Sequence, residues 1–167
     1  MIGRVLIITG VGVYNTVDMY TEGESRRWIL KFPLVDIANY VNAHTVIESK
    51  RNPDLSTENI LTNEDRDFLL SSLQGAVSNV AMMLSRRMER PQQIEDDYIV
   101  FTLTVGENHD DNMSNILYLR ILNYLQQYAL YRWNGGDVSL LRPLEDEIRS
   151  AIHYRKHSVA RQVRNLL

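Results

Sequence analysis

The chain has 167 residues, enough for one domain that buries a core without covalent staples. It has no cysteine, so disulfides, thiolate zinc sites and cysteine nucleophiles are all excluded. The net charge of −3 and the 44% hydrophobic content argue against non-specific nucleic-acid binding and against a membrane-spanning chain.

The opening run MIGRVLIITG lacks the long apolar stretch and small-residue cleavage site of a signal peptide. Val5 to Thr9 is β-branched and apolar and reads as a short strand. Gly10 and Gly12 then mimic the first two glycines of a dinucleotide-binding turn. Asn15 stands where the third glycine would let a helix pack closely, and no β-α alternation follows, so nucleotide binding is set aside. A second strand is expected at Arg27 to Phe32, where Trp28, Leu30 and Phe32 alternate with Arg27 and Lys31. Pro33 stops it.

Leu34, Ile37, Ala38 and Val41 recur at helical spacing and predict a helix from Leu34 to about Ile47. Residues Ser49 to Asn63, with Pro53 and few apolar positions, read as a loop. Thr62-Asn-Glu-Asp65 resembles a capping box opening a helix that runs to about Arg87. Leu69, Leu73, Ala76, Val77, Val80 and Leu84 form its buried face, and Gly75 marks a close helix crossing. Tyr98 to Val105 reads as a strand with Ile99, Phe101, Leu103 and Val105 on one side.

Met113 to Trp133 is the strongest helix, with Leu117, Ile121, Tyr124, Leu125 and Tyr128 on a broad apolar face. Asn134-Gly135-Gly136 ends it. The last helix runs from near Pro143 to about Arg155, with Glu145 and Arg149 as an i,i+4 pair. The predicted class is mainly α within α+β: three long helices packed together, with a small β element from the N-terminal region and the 98–105 strand. Residues 1–155 form one domain, its first 60 residues less regular. Residues 156–167 form a basic arm in which Val159, Val163 and Leu166 recur at helical spacing. Alone it is a marginal helix, better suited to ordering on a partner.

Candidate chemistry is thin. His153 and His157 have the spacing of a metal pair, but Arg155 and Lys156 between them would repel a cation. His109-Asp110-Asp111 reads as a loop followed by helix-start acids rather than a metal site. Asp96 and Asp97 are adjacent before a strand and point to opposite faces, which suits no acid/base pair. No serine sits in a nucleophile elbow. The expectation is no enzyme, no cofactor and no metal. Tyr98, Tyr118, Tyr124, Tyr128, Tyr131, Trp133 and Tyr154 read mostly as core, with part of this surface available to a partner.

Charge is unevenly spread. Between Glu89 and Asp111 there are seven acids and one base, and from Ile148 onward five bases and no acid. Such a chain can meet its own copy head to tail. The candidate acidic surface is Glu95, Asp96, Asp97, Glu107, Asp110 and Asp111; the candidate basic contacts are Arg149, Arg155, Lys156, Arg161 and Arg164.

The order of elements from Leu61 to Arg164 carries a resemblance. A helix opening on Thr-Asn-Glu-Asp-Arg-Asp leads to a strand at Asp96-Asp97-Tyr98. A long helix then closes on Tyr131-Arg-Trp133, and a last one runs into Ile152-His-Tyr-Arg-Lys156. This resembles the small head–tail connector (adaptor) structural proteins of tailed bacteriophages and prophages. The resemblance implies a virion neck protein, made in the host cytoplasm, that forms a homo-oligomeric ring, often of twelve subunits. Its implied partners are its own copies, portal and tail or neck proteins, and DNA in the channel, with no membrane. Other readings remain: another ring-forming neck or tail component, a small nucleic-acid-binding regulator using the basic segment, or an enzyme.

Overall fold

The computed structural model describes residues 3–9, 13–22, 25–51, 61, 65–89, 93–95, 97–106, 112–135 and 138–153, with the backbone alone at 3–26, 93–95 and 134 within these. In chain order the elements are β1 (Gly3–Thr9), β2 (Val13–Glu22), β3 (Ser25–Pro33) and α1 (Leu34–Arg51). They continue with α2 (Arg66–Leu84), β4 (Gln93–Glu95), β5 (Tyr98–Gly106), α3 (Asn112–Asn134) and α4 (Leu141–His153). A short 3-10 turn, Val138–Leu140, leads into α4.

Alternation in β3 and β5 builds the floor of the core. Their antiparallel register sets Trp28 opposite Leu103, Leu30 opposite Phe101 and Phe32 opposite Ile99. All six side chains are buried, so one sheet face is apolar and continuous across the pair. The opposite face carries Arg27 and Lys31 from β3 and Thr102 and Thr104 from β5. There Arg27 pairs with Glu89 at 2.6 Å, and the Thr104 hydroxyl donates to the same carboxylate.

The sheet order is β1-β2-β3-β5-β4, antiparallel throughout. The helices pack on β3 and β5, and β2 and β1 add two strands outside β3. The α+β class with more helix than strand stands, and the sheet is larger than the sequence suggested. Residues 13–22, which seemed to lead away from a phosphate-binding turn, are instead the second strand of a hairpin, with Thr9 opposite Val13. The N-terminal third, expected to be the least regular part, is three strands and a helix over its described residues.

α1 runs to Arg51, a turn beyond the expected end, and Ser49 to Arg51 are helical rather than loop. The reason is chemical. Its buried stripe continues past Val41 as Thr45 and Ser49, which are polar and hide the periodicity. Their hydroxyls donate back to the Val41 and Val46 carbonyls at 2.9 Å each, so the stripe can be buried without losing hydrogen bonds. α2 begins with Asp65 at its N-cap and no side-chain cap bond. The Thr62 capping box lies outside the described residues.

α3 is the pillar. Its 23 residues extend about 34 Å and touch the other three helices and β3. Leu117, Tyr118, Ile121, Tyr124 and Leu125 are fully buried. Gly135, at φ 67°, ends the helix in the left-handed region that its missing side chain allows.

α3 runs antiparallel to α2: Trp133 meets Phe68 edge-on, Tyr128 meets Gly75, and Tyr124 meets Asn79. α4 in turn runs antiparallel to α3, with Tyr124 against Glu145 and Arg120 against Glu147.

The expected close crossing at Gly75 is present. A Cβ there would lie 2.6 Å from the Tyr128 hydroxyl and 3.4 Å from the ring carbon bearing it. Alanine would gain about 1 kcal/mol of helix propensity but overpack this contact at about 1–3 kcal/mol. Gly75→Ala is therefore expected to be neutral to destabilising in urea unfolding. In a Tyr128→Phe background the same change should become stabilising. A stabilising Gly75→Ala in the native background would show that the crossing tolerates a side chain.

Candidate functional site

The first turn of α1, the start of α2 and the start of β5 converge at one end of the helical layer. Three contacts fix that corner. The Leu34 amide donates to the Asp97 carbonyl at 2.8 Å, joining α1 to β5 as the chain leaves β3. Asn42 grips Leu61 with both halves of its amide, accepting from the Leu61 N–H at 2.7 Å and donating to its carbonyl at 3.1 Å. Arg66 donates to Asp97 Oδ1 from Nη2 at 3.2 Å and from Nε at 3.3 Å. That ion pair is exposed, so it orients the corner more than it stabilises it.

Between these contacts lies an open cavity of about 430 Å³. Its walls are Pro33, Leu34, Ala38, Leu61 and Leu69, with Asp65, Arg66 and Asp97 at its polar side. Val35 and Tyr98 also line it and remain 58% and 45% exposed, respectively. Apolar walls with a charged margin are the general form of a binding site for an apolar group. Val35 carries no periodic signal, because it falls off the buried stripe of α1. That mismatch, an apolar residue on the polar side of a helix, was the only clue in the sequence.

A second polar cluster joins α2, α3 and α4. The Tyr124 hydroxyl accepts from Asn79 at 3.0 Å and donates to Glu145 at 3.1 Å. Burial pushes the Tyr124 phenol up to about 12; Asn79 opposes this and the Glu145 charge adds to it. Arg149 pairs with Glu145 at 3.7 Å, as its spacing predicts, and with Asp146 at 3.0 Å. Tyr118 is also pushed above the ordinary phenol range, first by burial and then by the Asp36 charge. Its hydroxyl has no hydrogen-bond partner among the described residues.

Of the residues singled out by charge, the structure describes the surroundings of Asp97 and Arg149 only. Asp97 belongs to the corner with the cavity, and Arg149 already shares its charge with two acids of its own helix. Glu95 ends β4 beside Tyr98, its side chain not described, and Asp96 lies outside the described residues. Glu107, Asp110 and Asp111 lie outside them too, as do Arg155, Lys156, Arg161 and Arg164.

His109, His157 and the glycine pair at 10 and 12 also fall outside the described residues. Among the described residues no group of His, Asp and Glu is placed to hold a metal, and no helix is long and apolar enough to cross a membrane.

Of the aromatics, Tyr118 and Tyr124 are core and Tyr128, Tyr131 and Trp133 pack half-buried against it. Tyr98 faces outward, and Tyr154 lies outside the described residues.

Together these features define an α+β protein with helices on one face of a five-stranded antiparallel sheet and a corner cavity of apolar walls whose polar side holds Asn39, Asn42, Asp65, Arg66 and Asp97. No family model, no curated protein and no solved structure matches the chain.

Proposed function

We propose that the chain is a structural subunit of the head–tail connector type in a tailed-phage virion, acting by assembly into a ring rather than by catalysis. One observation supports this most: acids gather between Glu89 and Asp111 and bases from Ile148 onward, so the chain carries two regions of opposite charge. Asp97 sits at the N-terminal end of α2. α4 passes Glu145 and Arg149 along Asn79, Met82 and Met83, so it ends beside the C-terminal end of α2. A protein with two oppositely charged regions can join its copies through two different surfaces. Such a contact closes into a ring when the rotation allows.

In this reading the ring stacks between portal and tail, its neighbours are portal and neck or tail proteins, and DNA passes through its channel. The test is the native mass of the purified protein by light scattering, with negative-stain images of the same sample. Closed rings of many subunits are the expected result. A monomer at every concentration, with and without a portal ring, would remove the proposal.

A further inference from the structure

We infer that the corner cavity takes an apolar residue from an extended segment of another protein, with the Asn39 amide binding that residue's backbone. The fold already holds one residue in this manner. Asn42 accepts from the Leu61 N–H at 2.7 Å and donates to the Leu61 carbonyl at 3.1 Å. The Leu61 side chain is buried and forms part of the cavity wall. A side-chain amide carries both an acceptor and donors, so it matches the two backbone groups of a single residue.

The same face of α1 repeats this amide one turn earlier. Val35, Asn39 and Asn42 fall within about 60° of one another around the helix, and all three line the cavity. Asn39 is exposed and has no hydrogen-bond partner among the described residues. Side chains three apart on a helix have Cβ atoms about 5–6 Å apart. Extended backbones lying side by side are about 4.7–4.9 Å apart, so the spacing admits a second residue beside Leu61.

The guest's side chain has a place to go. The cavity of about 430 Å³ opens between Asn39 and the apolar walls Leu34, Ala38 and Leu69, with Val35 exposed at its lining. It lies at the small end of the range of about 300–1,000 Å³ found for ligand sites. Two carboxylates, Asp65 and Asp97, and one guanidinium, Arg66, make up its charged side. A base beside the apolar anchor is therefore favoured over an acid.

Asn39 needs a backbone whose N–H and C=O are open, and a helix has already paired its own. That requirement excludes Ile47, Met82, Ile116 and Leu119, the exposed apolar residues on this chain's helices. It selects an extended segment of a partner protein.

The test uses the isotopically labelled full-length protein and three end-blocked heptapeptides, followed by amide chemical shifts. The first has a central leucine between two lysines, the second is the same peptide N-methylated at that leucine, and the third has aspartate in its place. The first should saturably shift Val35, Leu69 and the Asn39 side-chain amide. N-methylation removes the N–H that Asn39 accepts and should weaken binding about tenfold. Asn39→Ala, at an exposed helical position, should fold as before and lose a similar factor. The aspartate peptide should not bind.

No saturable shift at millimolar peptide would overturn the site. Equal binding of the N-methylated peptide, or undiminished affinity in Asn39→Ala, would overturn the role of the amide. Shifts centred on Ile116 and Leu119 would move the contact to α3 and overturn the cavity. Shifts at Val35 and Asn39 on raising the protein concentration alone would give the site to a second copy and overturn the choice of another protein. Light scattering of the same samples reads ring formation separately, so either proposal can fail while the other stands.

Discussion

Replacing Tyr118 by alanine should destabilise the protein by about 3–5 kcal/mol, lowering its Tm by roughly 6–20 °C for a domain of this size. Tyr118 is completely buried and stacks on Phe32 with ring centres 4.6 Å apart and planes 7° from parallel. Phe32 meets Phe101 edge-on at 5.9 Å, so the three rings join α3 to β3 and β5 through one aromatic cluster. Deleting the central ring leaves a void that the β3–β5 register cannot close by sliding, because each strand is fixed by nine paired residues. The informative comparison is Tyr118→Phe. The hydroxyl is buried without a partner among the described residues, so removing it should cost nothing and gain up to about 1–2 kcal/mol. A loss of more than about 1 kcal/mol in that variant would show the hydroxyl to be hydrogen-bonded, against the packing described.

The second large effect is at Tyr124. Tyr124→Phe keeps the ring but removes the acceptor of Asn79 and the donor to Glu145 at once, at a cost of about 1–3 kcal/mol. A pH series separates this bonding role from packing. The phenol's value is raised from 10 in the unfolded chain to about 12 in the fold, so the folded protein holds that proton after the unfolded chain has released it. The contribution is complete below about pH 10 and is lost as pH rises from there towards 12. Tyr118, shifted in the same direction, adds to the loss. Stability measured by urea unfolding should therefore decline over that window, and less steeply in Tyr124→Phe. Parallel curves for the two proteins would mean that the hydroxyl is not coupled to folding.

These residues show which parts of the molecule were readable beforehand. α3 and β5 were legible almost to the residue because each buries one face against a single partner layer, which leaves a clean period of 3.6 or 2. Tyr118 and Tyr124 could be placed in the core by spacing, but not their hydrogen-bond roles, since Asn79 and Glu145 lie 45 and 21 positions away. The far turn of α1 was hidden by Thr45 and Ser49, polar residues in buried positions. β2 was missed although Val13, Tyr14, Thr16, Val17 and Tyr20 have strong strand propensity, because the glycines before it suggested a different motif. The cavity could not be read at all. Its walls come from three elements brought together by the fold, and Val35 is its only off-pattern residue. Net charge by segment marked an acidic and a basic region, of which Asp97 and Arg149 are the members with described surroundings.

The position of β1 has a consequence for the protein on its own. It is a border strand of the sheet, seven residues long, and its sequence GRVLIIT has one charge and no proline. Proteins usually guard such a border with short strands, prolines or inward-facing charges, because its unpaired amides and carbonyls can template another strand. β4, at the opposite border, is short and ends in Glu95, and so follows that rule. β1 does not. A border of this kind makes the protein prone to stack through β1 into irregular aggregates.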